Sequence, residues 1–355
     1  MKHQELIFSN NVAEEIDKIA QKVGAPQVFV LVDVNTDRCV LPLLKKSSKT
    51  IAGAKVITIK SGDVNKNLES LAFIWEQLCN NGATRKSLLI NIGGGVITDI
   101  GAFAGATFKR GIKFINVPTT LLSAVDAAVG GKTGINFNGL KNEVGVFCEA
   151  EAVIISTAFF KTLPMEELLS GYAEMLKHGL IAGRDVYDKL LAYDIYKSEK
   201  GDQLLELLEE SVKVKKNIVE EDPTEKGIRR ALNLGHTAGH AFESLALRRE
   251  DPIPHGYAVA WGLVVELVLS HTQLGFSSAD LQQLASYIYG KYGAFEITCN
   301  DYPALLDFMH HDKKNESNEI NFTLLKEVGD VHIDCHCSEE EIKSALDIFR
   351  DLLHI

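Results

Sequence analysis

Nothing in this 355-residue chain reads as a membrane span, a disulfide framework or a nucleic-acid surface. The most apolar helix-like stretch, residues 257–269, carries Glu266 and falls short of the ~20 residues a bilayer crossing needs. No apolar run bounded by basic residues lies in residues 1–17, so no secretory signal is expected. Six cysteines are few for this length and sit mostly inside apolar segments, which argues against a disulfide scaffold. Lysine and arginine number 37 against 48 acidic residues, a net charge of −11 with both signs scattered. Without a long basic stripe to release phosphate counterions, nucleic acid is not the expected partner. A phosphorylated small molecule needs only a local cluster of cations and stays open. The expected compartment is the cytoplasm.

The length predicts two domains. The first half alternates short β-rich runs with helical patterns. Residues 27–33, 55–60, 87–92 and 113–117 read as strands, and 68–80 carries apolar residues at helical spacing. Strands apolar on both faces, alternating with helices, imply parallel βαβ units. After about residue 160 the pattern turns helical, over 166–181, 202–219, 231–247, 257–274, 281–289 and 339–352. A short hairpin is expected near 319–333. The expected division is therefore an α/β domain over 1–160 and a mostly α-helical domain over 161–355.

Two near-motifs fail at a defining position. Gly93-Gly94-Gly95 precedes Thr98 and Asp99 where a strand should hand over to a helix, a place for phosphate at free amide groups. It is not G-x-G-x-x-G, because the last position is Thr98, and a tight turn without ligand would look the same. Gly130-Gly131-Lys132-Thr133 resembles the end of a P-loop, but Asp126 stands where the first glycine belongs. What remains is a small-residue loop presenting Asp126, Lys132, Lys141 and Asn142. Cys335-His336-Cys337 is the only cysteine cluster, and a packed edge strand explains it as readily as a soft metal.

The histidines say more. His236 and His240 are four residues apart and project from one helix face, so both imidazoles can reach one ion. Thr237 replaces the general-base glutamate of H-E-x-x-H, which leaves peptidase chemistry unsupported. Pro254-His255-Gly256 places a third histidine at a helix start, and Glu174, Lys177 and His178 share an otherwise apolar helix. This combination favours a metal over packed core histidines. Spacing alone does not choose which three or four side chains ligate.

With these residues in view, the chain resembles the 3-dehydroquinate synthases, members of the sugar phosphate cyclases. The likeness runs from Asp33 to about Lys314, through GGGVITD, VPTTLLSAVDAAVGGKTGIN, LKN, KTLPMEELLSGYAEMLKHGLI, LNLGHTAGHAFE, PHG and HDKK. It implies a Rossmann-like NAD-binding α/β domain, a helical metal-binding domain and a homodimer. It also implies a phosphorus–oxygen lyase that turns 3-deoxy-D-arabino-heptulosonate 7-phosphate into 3-dehydroquinate and phosphate, within the shikimate pathway. The steps would be transient oxidation by NAD, phosphate elimination, re-reduction and intramolecular aldol closure.

By the same resemblance Glu174, His236 and His255 would hold zinc or cobalt, with His240 left for substrate and proton transfer. NAD would lie across Gly93, Gly94, Gly95 and Asp99. Asp33, Asn35, Asp63 and Lys66 would meet the adenosine end, with Thr119, Thr120, Thr162, Lys132 and Lys141 completing the cofactor site. Arg110, Lys132, Asn142 and Lys177 would meet the substrate's anionic groups, as would Lys215, Arg229, Asn233 and one of Lys313 or Lys314. Asp126 would sit by the hydroxyls at the metal, and Glu225 would orient the cations. Two rival readings are another sugar phosphate cyclase and a metal-dependent polyol dehydrogenase of the same architecture. Arg229 and Asn233 suit a carboxylated substrate and weigh against the first. The many cations weigh against the second.

Overall fold

A computed structural model describes residues 4–138, 140–197, 202–311 and 320–355. Lys313 and Lys314 lie outside the described residues. The chain divides into two compact units. The first takes the described residues of 1–164 and 198–212, and the second takes those of 165–197 and 213–355.

Unit one is built on a six-stranded, wholly parallel sheet. Its strands are β1 (Glu5–Phe8), β2 (Val28–Asp33), β3 (Lys55–Ile59), β4 (Leu88–Gly93), β5 (Lys113–Pro118) and, after a separate pair, β8 (Ala152–Ile155). The order across the sheet is β1-β8-β5-β4-β2-β3. Alternate side chains make the two faces. Val30, Val32, Ile90, Ile92, Ile115 and Val117 join Ile16 and Ile19 of the helix Val12–Val23 in one core. On the opposite face the helix Gly95–Thr107 comes close enough for a Cβ on Gly101 to lie 2.2 Å from Oδ1 of Asn91. There Asn91 donates to Asn116 at 2.9 Å, pairing two buried amides on neighbouring strands.

The chain order reverses between β2 and β4: β3 lies on one side of β2, and β4 returns on the other. The loops leaving those two strands diverge, which opens a crevice at the carboxyl ends of the strands, the usual ligand site of open parallel sheets.

The small-residue loop expected around 130–142 is instead an antiparallel pair, β6 (Lys132–Phe137) with β7 (Leu140–Phe147). Its glycines conceal the pairing in sequence, since Gly134 and Gly145 face one another across the ladder. All eight residues of β7 are exposed.

Unit two is helical as expected, apart from the hairpin β9 (Asn321–Glu327) and β10 (Asp330–His336). The helix His255–Leu274 is buried almost all round and forms the centre of the unit. The helix expected over 231–247 begins only at His236. Ile228–Asn233 forms a separate 3-10 turn, and Gly235 at φ +79° breaks the path between them. Cys335 and Cys337 fall at the end of the hairpin, and no potential metal-binding group among the described residues includes them. No helix among the described residues is long and apolar enough to cross a membrane.

Candidate active site

In unit two, three helices bring three side chains to one point. Glu174 comes from the middle of the helix Met165–Ala182, and His236 and His255 stand at the first positions of the helices His236–Arg248 and His255–Leu274. Oε1 of Glu174 is 3.4 Å from Nε2 of His236 and 3.4 Å from Nε2 of His255. Glu174 is 0% exposed, and neither carboxylate oxygen receives a hydrogen bond of normal geometry among the described residues. One oxygen facing two imidazole nitrogens, all within 4.8 Å, leaves room for an ion between them.

Both rings are turned for that purpose. His236 places Nδ1 3.1 Å from the carbonyl of Leu234, and His255 places Nδ1 3.2 Å from Oε2 of Glu243. A proton on Nδ1 satisfies each acceptor, so that a cation displacing the Nε2 proton would meet the Nε2 lone pair beside Glu174. Burial alone would raise the Glu174 carboxyl, but the charges of Lys177 and His236 hold it well below the usual range. Burial likewise opposes charge on His255, yet Glu243 and Glu174 push it up to about 10. Glu174 is thereby held in its charged form beside the two rings, where it can help hold a cation. An oxygen and two nitrogens as donors suit zinc or cobalt.

His240 stands beside this group, its ring centroid 5.4 Å from that of His236 and 6.0 Å from that of His255. Lys177 is 1% exposed and paired with Glu174 within the helix. Lys215 and Arg229 are buried as well. Arg229 donates from its guanidinium to the carbonyl of Pro223 at 2.8 Å, and Asn233 donates to Glu225 at 3.3 Å. Two residues the sequence reading did not single out organise these parts. Glu243 orients His255, and its place seven residues after His236 on the same helix face was the available signal. Asp222 stands just past the end of the helix Asp202–Glu221. Its carboxylate accepts the amides of Lys226, Gly227 and Arg229, shaping the turn that carries Glu225 and Arg229.

In unit one, the expected cofactor residues gather at the carboxyl edge of the sheet. Asp33 ends β2, Gly93 ends β4 at the reversal, and Gly94 and Gly95 open the helix Gly95–Thr107. A Cβ on Gly93 would lie 2.6 Å from the side chain of Ile97, so that glycine serves helix–strand packing. Thr119 donates its amide to Gly93 at 2.9 Å, tying the exits of β4 and β5 together, and Thr120 follows. Asp33 caps the next helix by accepting the amides of Asn35 and Thr36. Lys66 is buried and joins Asp99 and Asn142, whereas Asp63 accepts from Asn136 at 3.2 Å and lies 4.0 Å from Lys141. Asp126 lies in a π-helical turn after β5, and Lys132 opens β6. Thr162 is exposed on the turn Phe160–Thr162 that follows β8.

Arg110 does not join them. It follows the far end of the helix Gly95–Thr107 and precedes β5, at the amino edge of the sheet. Within unit one the sheet separates it from the glycine turn, because a helix returning antiparallel to its strand delivers the chain to the opposite edge.

The chain thus has an α/β unit built on a parallel sheet with a glycine turn at its reversal, and a helical unit whose Glu-His-His cluster can hold a metal ion. Residues 56–170 match the 3-dehydroquinate synthase N-terminal family and 171–315 its C-terminal family. The chain belongs to the 3-dehydroquinate synthase family. It is 49% identical to the 3-dehydroquinate synthase of Parabacteroides distasonis over 99% of each chain. It is 41% identical to that of Pyrococcus furiosus over 82% of this chain and 84% of the other. Formation of 3-dehydroquinate is the activity these relatives are named for. In fold the chain is similar to 2-epi-5-epi-valiolone synthase from Streptomyces hygroscopicus with NAD+ and Zn2+ bound. The TM-score is 0.85 at 22% identity, covering 99% and 98% of the two chains. A 2-deoxy-scyllo-inosose synthase complexed with carbaglucose-6-phosphate, NAD+ and Co2+ gives 0.82 at 22% identity, over 98% and 96%.

Proposed function

We propose that this chain is an NAD- and metal-dependent lyase that makes 3-dehydroquinate and phosphate from 3-deoxy-D-arabino-heptulosonate 7-phosphate. The observation that carries the metal part is the convergence of Glu174 with two Nε2 atoms, each ring oriented by an acceptor at Nδ1. A metal held by Glu174, His236 and His255 would supply Lewis acidity toward a substrate hydroxyl, and NAD held at the carboxyl edge of unit one would supply hydride chemistry.

The chain's own groups bind and orient. Arg229, fixed through Pro223 and Asp222, offers a planar fork to a carboxylate. Lys177 and Lys215 add buried positive charge for phosphate. Asn233, held by Glu225, presents its amide beside them. His240 stands within reach of the metal ligands and can hold or pass a proton at a ring nitrogen. At the sheet edge, Lys66 fixes Asp99 next to the glycine turn. The proposal includes a homodimer working in the cytoplasm.

The test is phosphate release from heptulosonate 7-phosphate with catalytic NAD, before and after chelation, while absorbance at 340 nm is followed. Stoichiometric phosphate without net NADH, lost on chelation and restored by zinc or cobalt, supports the proposal. NADH accumulating with a polyol and no phosphate would move the protein to the dehydrogenases. Release from sedoheptulose 7-phosphate alone would move it to another cyclase.

A further inference from the structure

The helix His236–Arg248 begins without a side-chain cap of its own, because Gly235 occupies the cap position. The need is met from another helix. Glu266, 0% exposed in the helix His255–Leu274, accepts the amide of Gly235 at 2.6 Å through Oε2. Through Oε1 it accepts the amides of Thr237 at 3.0 Å and Ala238 at 3.3 Å. The short reach depends on two backbones in contact. A Cβ on Gly262 would lie 2.0 Å from the carbonyl oxygen of Gly235, so no larger residue fits there.

The same helix that starts with the ligand His255 therefore carries, about 16 Å further along its axis, the acid that holds the start of the other ligand helix. We propose that Glu266 is a positioning residue for the metal centre. It fixes the backbone on both sides of His236 and sets a negative group at the positive end of that helix, so the site accepts a divalent cation. The inference rests on Glu174, His236 and His255 being the metal ligands.

Two physical arguments support it. The amides of Gly235, Thr237 and Ala238 flank His236, and Leu234, whose carbonyl orients that ring, is one residue before Gly235. Loosening the clamp loosens ligand and orienting acceptor together. A helix amino terminus also carries about half a positive charge, which repels a nearby cation, and a buried carboxylate on it offsets that field. Ser270, one turn beyond Glu266, donates to the carbonyl of Glu266 at 2.7 Å and accepts the amide of Leu325 at 3.0 Å, bracing this turn against β9.

The experiment is Co2+ titration of chelator-treated full-length protein, read by visible ligand-field absorption, for the wild type, Glu266→Gln, Glu266→Asp and His236→Ala. Far-UV circular dichroism and the Tm of the metal-free protein report folding. Glu266→Gln keeps the shape but replaces an acceptor with a donor facing amides. It should raise the Co2+ dissociation constant by about 10–100-fold and change the absorption envelope. Glu266→Asp keeps the charge and should fall between Gln and wild type. A Gln variant with lowered Tm but wild-type Co2+ affinity and spectrum would reduce Glu266 to a structural cap and overturn the proposal. Should the Gln variant fail to fold, unchanged affinity in Glu266→Asp overturns it instead. Wild-type Co2+ binding by His236→Ala would show that the ligand assignment had failed, separately from the clamp, and the proposal would fall with it.

Discussion

Nδ1 of His255 faces Oε2 of Glu243 at 3.2 Å, so a residue outside the ligand set determines which ring nitrogen turns toward Glu174. Replacing Glu243 with alanine frees the ring to rotate and to change tautomer. Zinc affinity should fall by about 10–100-fold, measured by competition with a chelating dye. Wild-type affinity in Glu243→Ala would remove Glu243 from the account of the site.

On the proposed function, Arg229 is the group that would meet the substrate's carboxylate. Lysine at this position keeps the charge but loses the two-pronged donor, and the carbonyl of Pro223 loses its partner. Arg229→Lys should lower kcat/KM by about 30-fold or more, on the order of 2 kcal/mol, with metal content unchanged. A fully active variant would contradict a carboxylate role.

An ion pair between two helices of unit two contributes to acid stability. Arg184 donates to both oxygens of Asp280, at 2.9 and 2.8 Å, and these bonds lower the Asp280 carboxyl below 3.8 despite partial burial. Between the lowered folded value and 3.8, the unfolded chain binds a proton that the folded chain does not. Acid therefore favours unfolding in that window, and the full contribution is present above it. Asp280→Asn should cost about 0.5–1 kcal/mol at neutral pH and flatten the fall in Tm below pH 4. An equally steep fall in the variant would place the acid sensitivity elsewhere.

Thiol labelling should divide the cysteines sharply. Burial, helped by Glu341 and Cys335, pushes the Cys337 thiol up to about 12, whereas Cys79 and Cys299 are exposed. At pH 8 a disulfide reagent should modify Cys79 and Cys299 first and reach Cys337 only on unfolding. Rapid native labelling of Cys337, located by peptide mapping, would show that the end of β10 opens.

Strands β2 to β5 and most helices were legible because each is a run with a single period, apolar on both faces or on one stripe. The four-residue strands β1 and β8 are too short for periodicity to register, and they are fixed by pairing, β1 with β8 and β8 also with β5. The hairpin β6–β7 was hidden by its glycines and by a strand exposed at every position, which has no buried face to alternate. Spacing on one helix tied His236 to His240, but the choice of Glu174 and His255 depends on where two other helices cross. Arg110 lies just before β5 in sequence, and a helix that returns along its strand delivers it to the amino edge of the sheet.

The first unit includes residues from 198–212 as well as those up to 164. Leu204, Leu208 and Val212, all fully buried, belong to that late segment. During synthesis, these buried positions of the first unit emerge only after its sheet has been made. By then the helix Met165–Ala182 has been made, while His236 and His255 have not. Lys177, three residues along the same helix, is the one partner of Glu174 here that is made with it, so a counter-charge lies within one helical turn before either histidine has been added.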